Sequence, residues 1–247
     1  MPLINIQPIE KRDHHQDGRL DVHSVFRTIQ GEGPFTGHAS VFVRLAGCNL
    51  QCPSCDTEYT SKRTLYTVES LVSQVKTWAA APYLVVITGG EPFRQNVQPF
   101  VVALVAEGYR VQIETNGTLA PFLRDRGLGV FSYLCSHNFN DYARCFIVCS
   151  PKAGKVNAEL APLISAYKYV MNAGLVAADG LPVLALDHTA SPHVARPHRG
   201  FKGPVYLQPC DDKDPELNGA NLSACIASVL KHGYILQLQV HKIIDLE

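Results

Sequence analysis

Apolar and polar positions alternate along this chain in two rhythms. Short apolar runs at 22–29, 40–46, 83–88, 109–114, 145–149, 167–171, 182–186, 204–208 and 234–240 have the length and β-branched content of strands. The run 83–88 (YLVVIT) is apolar almost throughout, as in a strand buried on both faces. Between these runs, apolar residues recur at helical spacing. Over 67–80, Val68, Leu71, Val72, Val75 and Trp78 share one face, and Thr67 is placed to cap the first turn. Residues 96–106 repeat the pattern and Gly108 ends it. Over 220–232, Leu222, Ile226, Val229 and Leu230 are expected to face inward, with Gly233 as the stop. Strand–helix alternation of this kind predicts right-handed βαβ units, a parallel sheet and the α/β class.

The rhythm lapses in a few places. Residues 1–20 read as a short arm and a charged loop. Residues 119–145, broken by Pro121, Gly127 and Gly129, read as a surface insertion. A second metal site there, on Cys135, His137 and Cys145, is the alternative, but the spacing matches no zinc pattern. Cys149, in an apolar run, reads as a small core residue. His188, His193 and His198 lie in a Pro/Gly-rich loop without the spacing of a helical ligand pair, and read as solvated. No shift of composition divides the chain, so 1–247 is read as a single domain.

Composition narrows the class. The 247 residues are 46% hydrophobic, ample for a sizeable core, and carry a formal net charge of zero. A nucleic-acid surface is therefore not expected. No apolar run reaches the length of a membrane helix, and the first twenty residues lack a signal-peptide core. Eight cysteines without a secretory signal point to reduced thiols and a cytoplasmic location.

Three of those cysteines, Cys48, Cys52 and Cys55, stand at C-x3-C-x2-C spacing directly after the apolar run 40–46. The thiols therefore sit on the loop that leaves a strand, where α/β folds place their chemistry. Thiolates are soft ligands, suited to iron–sulfur clusters or zinc. A closed structural zinc site needs four ligands, and no fourth follows at a regular distance. Three thiolates on a four-iron cluster leave one iron open to a small chelating molecule.

The spacing resembles the radical S-adenosylmethionine (SAM) superfamily, and the flanking segments narrow it. Phe26-Arg27-Thr28-Ile29-Gln30-Gly31-Glu32-Gly33 precedes the cysteines and Phe42-Val43-Arg44-Leu45-Ala46-Gly47-Cys48 leads into them. Ile87-Thr88-Gly89-Gly90-Glu91-Pro92, Ile113-Glu114-Thr115-Asn116-Gly117-Thr118, Ser150-Pro151-Lys152, Leu207-Gln208-Pro209 and Val240-His241-Lys242 follow in that order. The ordered set, over roughly residues 22–247, resembles the 7-carboxy-7-deazaguanine synthase family of queuosine-type 7-deazapurine biosynthesis.

The resemblance implies a partial or modified (β/α) barrel holding a 4Fe-4S cluster on Cys48, Cys52 and Cys55. It implies SAM contacts from Gly89, Gly90, Glu91, Gly117, Ser150, Pro151, Lys152, Gln208, Pro209, Cys210 and Asp211. Thr57 matches the position that binds Mg2+. A pterin substrate, 6-carboxy-5,6,7,8-tetrahydropterin, would be held by Ile29, Gln30, Gly31, Thr115 and His241. Arg44 would clamp its carboxylate, which suits a planar two-pronged donor. The short tail after His241 is expected to bring the terminal carboxylate of Glu247 to the substrate. The radical formed from SAM would take hydrogen at C6, the ring would contract, SAM would be re-formed and ammonia lost. A reductant such as flavodoxin or ferredoxin and a homodimer are implied as partners. Two rivals stand beside this reading. A radical SAM activating enzyme shares the cysteine spacing but should lack Gln30-Gly31-Glu32-Gly33 and the His241-Lys242 pair. A non-catalytic zinc module would carry zinc instead of iron.

Overall fold

The computed structural model describes residues 4–13, 15, 17–81, 83–122, 131, 133–135, 144–187 and 193–246. Among these residues nine strands form one sheet: β1 (Leu20–Ile29), β2 (Ala39–Leu45), β3 (Thr64–Tyr66), β4 (Leu84–Gly89), β5 (Arg110–Thr115), β6 (Cys145–Cys149), β7 (Ile164–Met171), β8 (Val205–Pro209) and β9 (Ile235–Leu236). Their order is β3-β1-β2-β4-β5-β6-β7-β8-β9. From β2 to β9 every neighbouring pair is parallel, and β1 and β3 add an antiparallel edge. The two outermost strands, β3 and β9, do not pair with each other, so the barrel is partial.

Among the described residues, α1 (Val68–Trp78), α2 (Gln98–Ala106) and α3 (Pro215–His232) cover one face of this sheet, and the short α4 (Val240–Ile243) lies at the rim of the other. Thr67 caps α1 as expected, its side chain accepting from the Ser70 amide. Val41, Val43, Leu45, Val85, Ile87, Val111, Ile113, Ile147 and Leu207 point outward into a single core beneath the helices. The alternate positions face the concave side. At its base Phe35, Leu84, Val86 and Phe146, with Phe42, form a small apolar plug. Toward the strands' C-terminal ends the same face turns polar, with Arg44, Thr88, Glu114, Lys168 and Gln208.

Four expectations need correction. The run 182–186 is not a strand. Only Pro182 makes a single bridge, to Val176, and the loop instead folds back so that the Leu186 carbonyl accepts from the Ser54 amide at 3.3 Å. The run 234–240 shortens to two strand residues, because Gln237 turns inward and its side chain accepts from the Gly33 amide. In α3 the fully buried stripe is Asn221, Cys225 and Ser228; of the four residues expected inward, Val229 packs on the main core and Leu222 is half-buried, while Ile226 and Leu230 are exposed. Within 119–145, Phe131 and Cys135 are buried in the main core, and the Cys135 and Cys145 sulfurs lie 3.4 Å apart. His137 and His188 lie outside the described residues.

The polar stripe of α3 has a specific job. Asn221 accepts from the Ala173 amide at 2.8 Å and donates to the Cys210 carbonyl at 3.1 Å and to Asp212 at 2.7 Å. One buried amide thus ties α3 to the loops that leave β7 and β8. Asn221→Leu is expected to cost about 2–4 kcal/mol, since it strands a buried N–H and C=O in an apolar contact. Thermal unfolding checks it; a wild-type melting temperature would show that the ties are dispensable.

Candidate active site

The polar half of the concave face opens into a cavity of about 420 Å3. Cys48, Cys52, Cys55, Thr57, Gly89, Gly90, Thr115, Ser150, Lys152, Gln208, Pro209, Cys210 and Asp211 line it, as do Ile29, Gln30, Gly31, Arg44 and His241. Residues that were spread over two hundred positions thus meet because parallel strands deliver their C-terminal ends to one side. Gly117 and Pro151 lie in the loops that carry lining residues but do not themselves line the cavity. Glu247 lies outside the described residues.

The cysteine loop is braced from behind. Arg94 and Gln95, both buried, donate to the Ala46 carbonyl at 3.0 and 3.1 Å. Asn49 donates to Thr118 at 2.8 Å and accepts from Asn116 at 2.9 Å. Burial pushes the Cys48 thiol up to about 12 and Cys52 to about 11, and raises Cys55 as well. Thiols so placed stay protonated at neutral pH until a metal displaces the proton. The donor set is three thiols on one loop, one short of a closed four-ligand zinc site and matched to a cluster that keeps one iron open.

Gly89 and Gly90 let β4 lie against this loop. A Cβ on Gly89 would stand 2.2 Å from the Leu45 carbonyl, and one on Gly90 2.1 Å from that of Gly47. The next residue departs from expectation. The Glu91 carboxylate is fully buried behind the cavity wall, where it accepts from the Phe93 amide, the Thr115 hydroxyl and the Asn116 amide at 3.0, 2.7 and 2.8 Å. Burial raises it to about 7, although all three donors favour its charged form. Glu91 thus positions Thr115 and Asn116 and does not face the cavity. The Thr115 hydroxyl hydrogen is committed to Glu91.

The opposite wall carries groups that the motif reading did not single out. Glu114 accepts from Gln30 at 3.0 Å, Gln112 at 2.9 Å and Thr88 at 3.1 Å. Lys168 pairs with Glu32, whose other oxygen accepts from Gln239 at 2.8 Å. Burial opposes the charge on Glu32, but the Lys168 ammonium outweighs it and holds the carboxyl well below its usual range. Arg44 lies over the Phe26 ring at 5.3 Å. His241 stands on α4, not on a strand end, and its ring fills the space a Gly31 side chain would need. Beside it, Lys242 bridges Asp211 at 2.9 Å and Asp56 at 3.4 Å across the cavity rim. A signal was present in the sequence: Lys168 is a charged residue in the otherwise apolar centre of β7, and Glu114 alternates with the core residues Val111 and Ile113 of β5.

The Glu32–Lys168 pair gives a stability prediction. Lys168→Met leaves a buried carboxylate uncompensated and should destabilise by about 3–5 kcal/mol, whereas Glu32→Gln with Lys168→Met should recover most of the loss. Because Glu32 is depressed, its contribution is present above the ordinary carboxylate range and is lost as the pH falls toward its folded value. Melting curves of the metal-free variants against pH test both statements; a double variant as unstable as the single one would refute the pairing argument.

Comparison with known proteins agrees with this geometry. Residues 43–133 match the radical SAM superfamily. The 7-carboxy-7-deazaguanine synthase of Rhodospirillum rubrum is 43% identical over 252 aligned positions, covering 99% of this chain and all of its own. That of Rickettsia prowazekii is 35% identical over 93% of this chain and 89% of its own. The crystal structure of QueE from Escherichia coli shares the fold, with a TM-score of 0.63 over 92% of this chain and 96% of that one at 21% identity. With the three-cysteine loop at the end of β2, the polar concave face and relatives matched along nearly their whole length, this chain belongs to the 7-carboxy-7-deazaguanine synthase family of radical SAM enzymes.

Proposed function

We propose that this chain converts 6-carboxy-5,6,7,8-tetrahydropterin to 7-carboxy-7-deazaguanine with loss of ammonia, as a radical SAM carbon–nitrogen lyase. The observation that carries the reading is one cavity with three thiols on one wall and carboxylate, guanidinium, ammonium and imidazole groups on the other. When bound, the 4Fe-4S cluster on Cys48, Cys52 and Cys55 and SAM supply the 5′-deoxyadenosyl radical that takes hydrogen from the pterin C6.

The remaining roles belong to the chain's own groups. The backbone at Gly89 and Gly90, with Ser150, Lys152 and the β8 end at Gln208, Pro209, Cys210 and Asp211, forms the SAM side of the cavity. Lys152, already against the Ser150 hydroxyl at 2.5 Å, offers an ammonium to a carboxylate. On the pterin side, Arg44 offers a two-pronged donor to the 6-carboxylate. Glu114, an acceptor-only carboxylate, suits the N–H edge of an aminopyrimidine, and Gln30 fixes its orientation. His241 and the backbone of Ile29 and Gly31 complete that wall. Thr57, with Asp56 beside it, is assigned to Mg2+, the rest of the octahedron coming from substrate oxygens and water. The tail beyond α4, through Glu247, is assigned to the substrate as well.

The same reading includes a reductant such as flavodoxin or ferredoxin and a cytoplasmic setting, supported by eight free cysteines. No helix among the described residues is long and apolar enough to cross a membrane. A homodimer is supported by exposed Ile226, Leu230, Ile235 and Leu236 along α3 and the unpaired edge β9.

Anaerobic turnover of the carboxy-tetrahydropterin with SAM, Mg2+ and a reductant, followed by mass spectrometry, tests the assignment. Stoichiometric zinc without iron, or SAM cleavage without pterin conversion, would sink it. Arg44→Lys should raise the KM for the pterin about tenfold or more, since loss of one charge-assisted bond costs about 1.5–3 kcal/mol. SAM affinity should change little; an unaltered pterin KM would remove Arg44 from the clamp. Thr57→Ala should lower activity and flatten the response to added Mg2+, and an unchanged titration would clear Thr57 of that role.

A further inference from the structure

The segment before β1 is not a loose leader over the described residues. Residues 4–7 alternate in the manner of a strand, but inverted. Ile4 and Ile6 point to solvent, 72% and 87% exposed, while Asn5 and Gln7 turn inward. What they turn toward is the outer side of the cysteine loop. The Asn5 amide donates to the Pro53 carbonyl at 2.9 Å and its side chain to the Cys52 carbonyl at 3.1 Å. Gln7 donates to the Thr57 carbonyl at 2.9 Å and accepts from the Tyr59 amide at 2.8 Å. Gln51 returns a bond to the Gln7 carbonyl at 2.7 Å, and the Glu10 amide reaches the Cys48 carbonyl, also at 2.7 Å. Glu10 then anchors the segment to Arg63 at 2.5 Å and to the buried Arg94 at 3.4 Å.

Apolar burial does not explain this docking, because Ile4, Ile6 and Ile9 are all exposed. The contacts are polar, and they fall on one target. They meet backbone groups of Cys48, Cys52 and Thr57, two of the three thiol residues and the residue assigned to Mg2+. A loop that must hold three thiols in a fixed geometry has no ladder of its own, so its carbonyls need partners from elsewhere. Residues 4–10 supply them, along the side of the loop away from the cavity.

We propose that residues 4–10 form a cap on the cysteine loop, in which Asn5 and Gln7 are positioning residues that hold the thiols in ligating geometry. This inference rests on the cluster assignment given above. The test uses the full chain, reconstituted anaerobically with iron and sulfide. Wild type and Asn5→Ala/Gln7→Ala are compared by the rate of bleaching in air-saturated buffer and the rate of iron loss to a chelator. Both rates should rise about five- to thirtyfold, the expected effect of losing bonds worth about 1–2 kcal/mol to local opening. Ile6→Thr, on the outward face of the same segment, should behave as wild type. Asn5→Asp, which keeps the shape but removes the donor to Cys52, should also bleach faster, and it serves if the double variant does not fold. Wild-type rates in Asn5→Asp and the double variant, or equal acceleration by Ile6→Thr, would overturn the cap. Failure of wild type to take up iron would instead overturn the cluster assignment on which the cap rests.

Discussion

The cavity depends on the place where the end of β4 lies against the end of β2. Gly89 and Gly90 approach the Leu45–Cys48 backbone so closely that a methyl group on either would overlap main-chain atoms. Two hydrogen bonds seal the contact, from the Gly90 amide to Leu45 at 3.3 Å and from the Glu91 amide to Gly47 at 3.1 Å. From that contact the rest is triangulated. Glu91 turns into the core and fixes Thr115 and Asn116, and Asn116 in turn holds Asn49 inside the cysteine loop. Three strand ends are thus locked to one another by the chain's own groups. This is the kind of preorganisation that positioning chemistry requires, since supporting contacts decide how loosely a site is held.

The second constraint is that the inner face must be polar although it is enclosed. A buried charge without a partner is costly, so each inner ionic group has been given one. Glu32 has Lys168 and Gln239, and Glu114 has Gln30, Gln112 and Thr88. Lys152 donates to the Ser150 carbonyl and hydroxyl oxygens, and burial and the Lys168 charge both lower its pKa. An anion placed in the cavity would relieve that repulsion. The apolar plug of Phe35, Leu84, Val86 and Phe146 closes the base, so the polar region opens toward the strands' C-terminal ends.

Much of this was legible in the sequence, and the exceptions share a cause. The strands were readable because helices cover one whole face and make the runs apolar. The cysteine spacing and the Gly-Gly-Glu turn named the chemistry. The face of α3 was misread because two stripes one position apart, Leu222–Ile226–Val229 and Asn221–Cys225–Ser228, both have helical spacing. The apolar stripe looks like the core side, yet the helix packs on loops whose backbone groups need polar partners. Ser228, for example, donates to the Gly180 carbonyl at 2.5 Å. The segment 4–7 hides its meaning in the same way, since isoleucines suggest an inward face and here the amides face in. Hydrophobic periodicity reports burial against apolar surface; it says nothing where an element is docked onto exposed backbone.

A partial barrel leaves its ligands open at two edges, and this chain covers them with segments that are not strands of the sheet. On one side residues 4–10 lie along the cysteine loop. On the other, α4 follows the short β9, and its Val240 amide bonds the Gly31 carbonyl at 3.2 Å. Lys242 then spans from Asp211, at the end of β8, to Asp56, in the cysteine loop. Neither segment has a buried apolar anchor: α4 has no buried residue, and the isoleucines of 4–10 face solvent. Both are held by hydrogen bonds and ion pairs to the loops they cover, contacts individually worth little at a surface. The two segments therefore serve different demands on the site: residues 4–10 brace the loop that carries the thiols, whereas α4 lies at the cavity rim, where polar contacts can be exchanged at small cost while the strand ends beneath stay fixed.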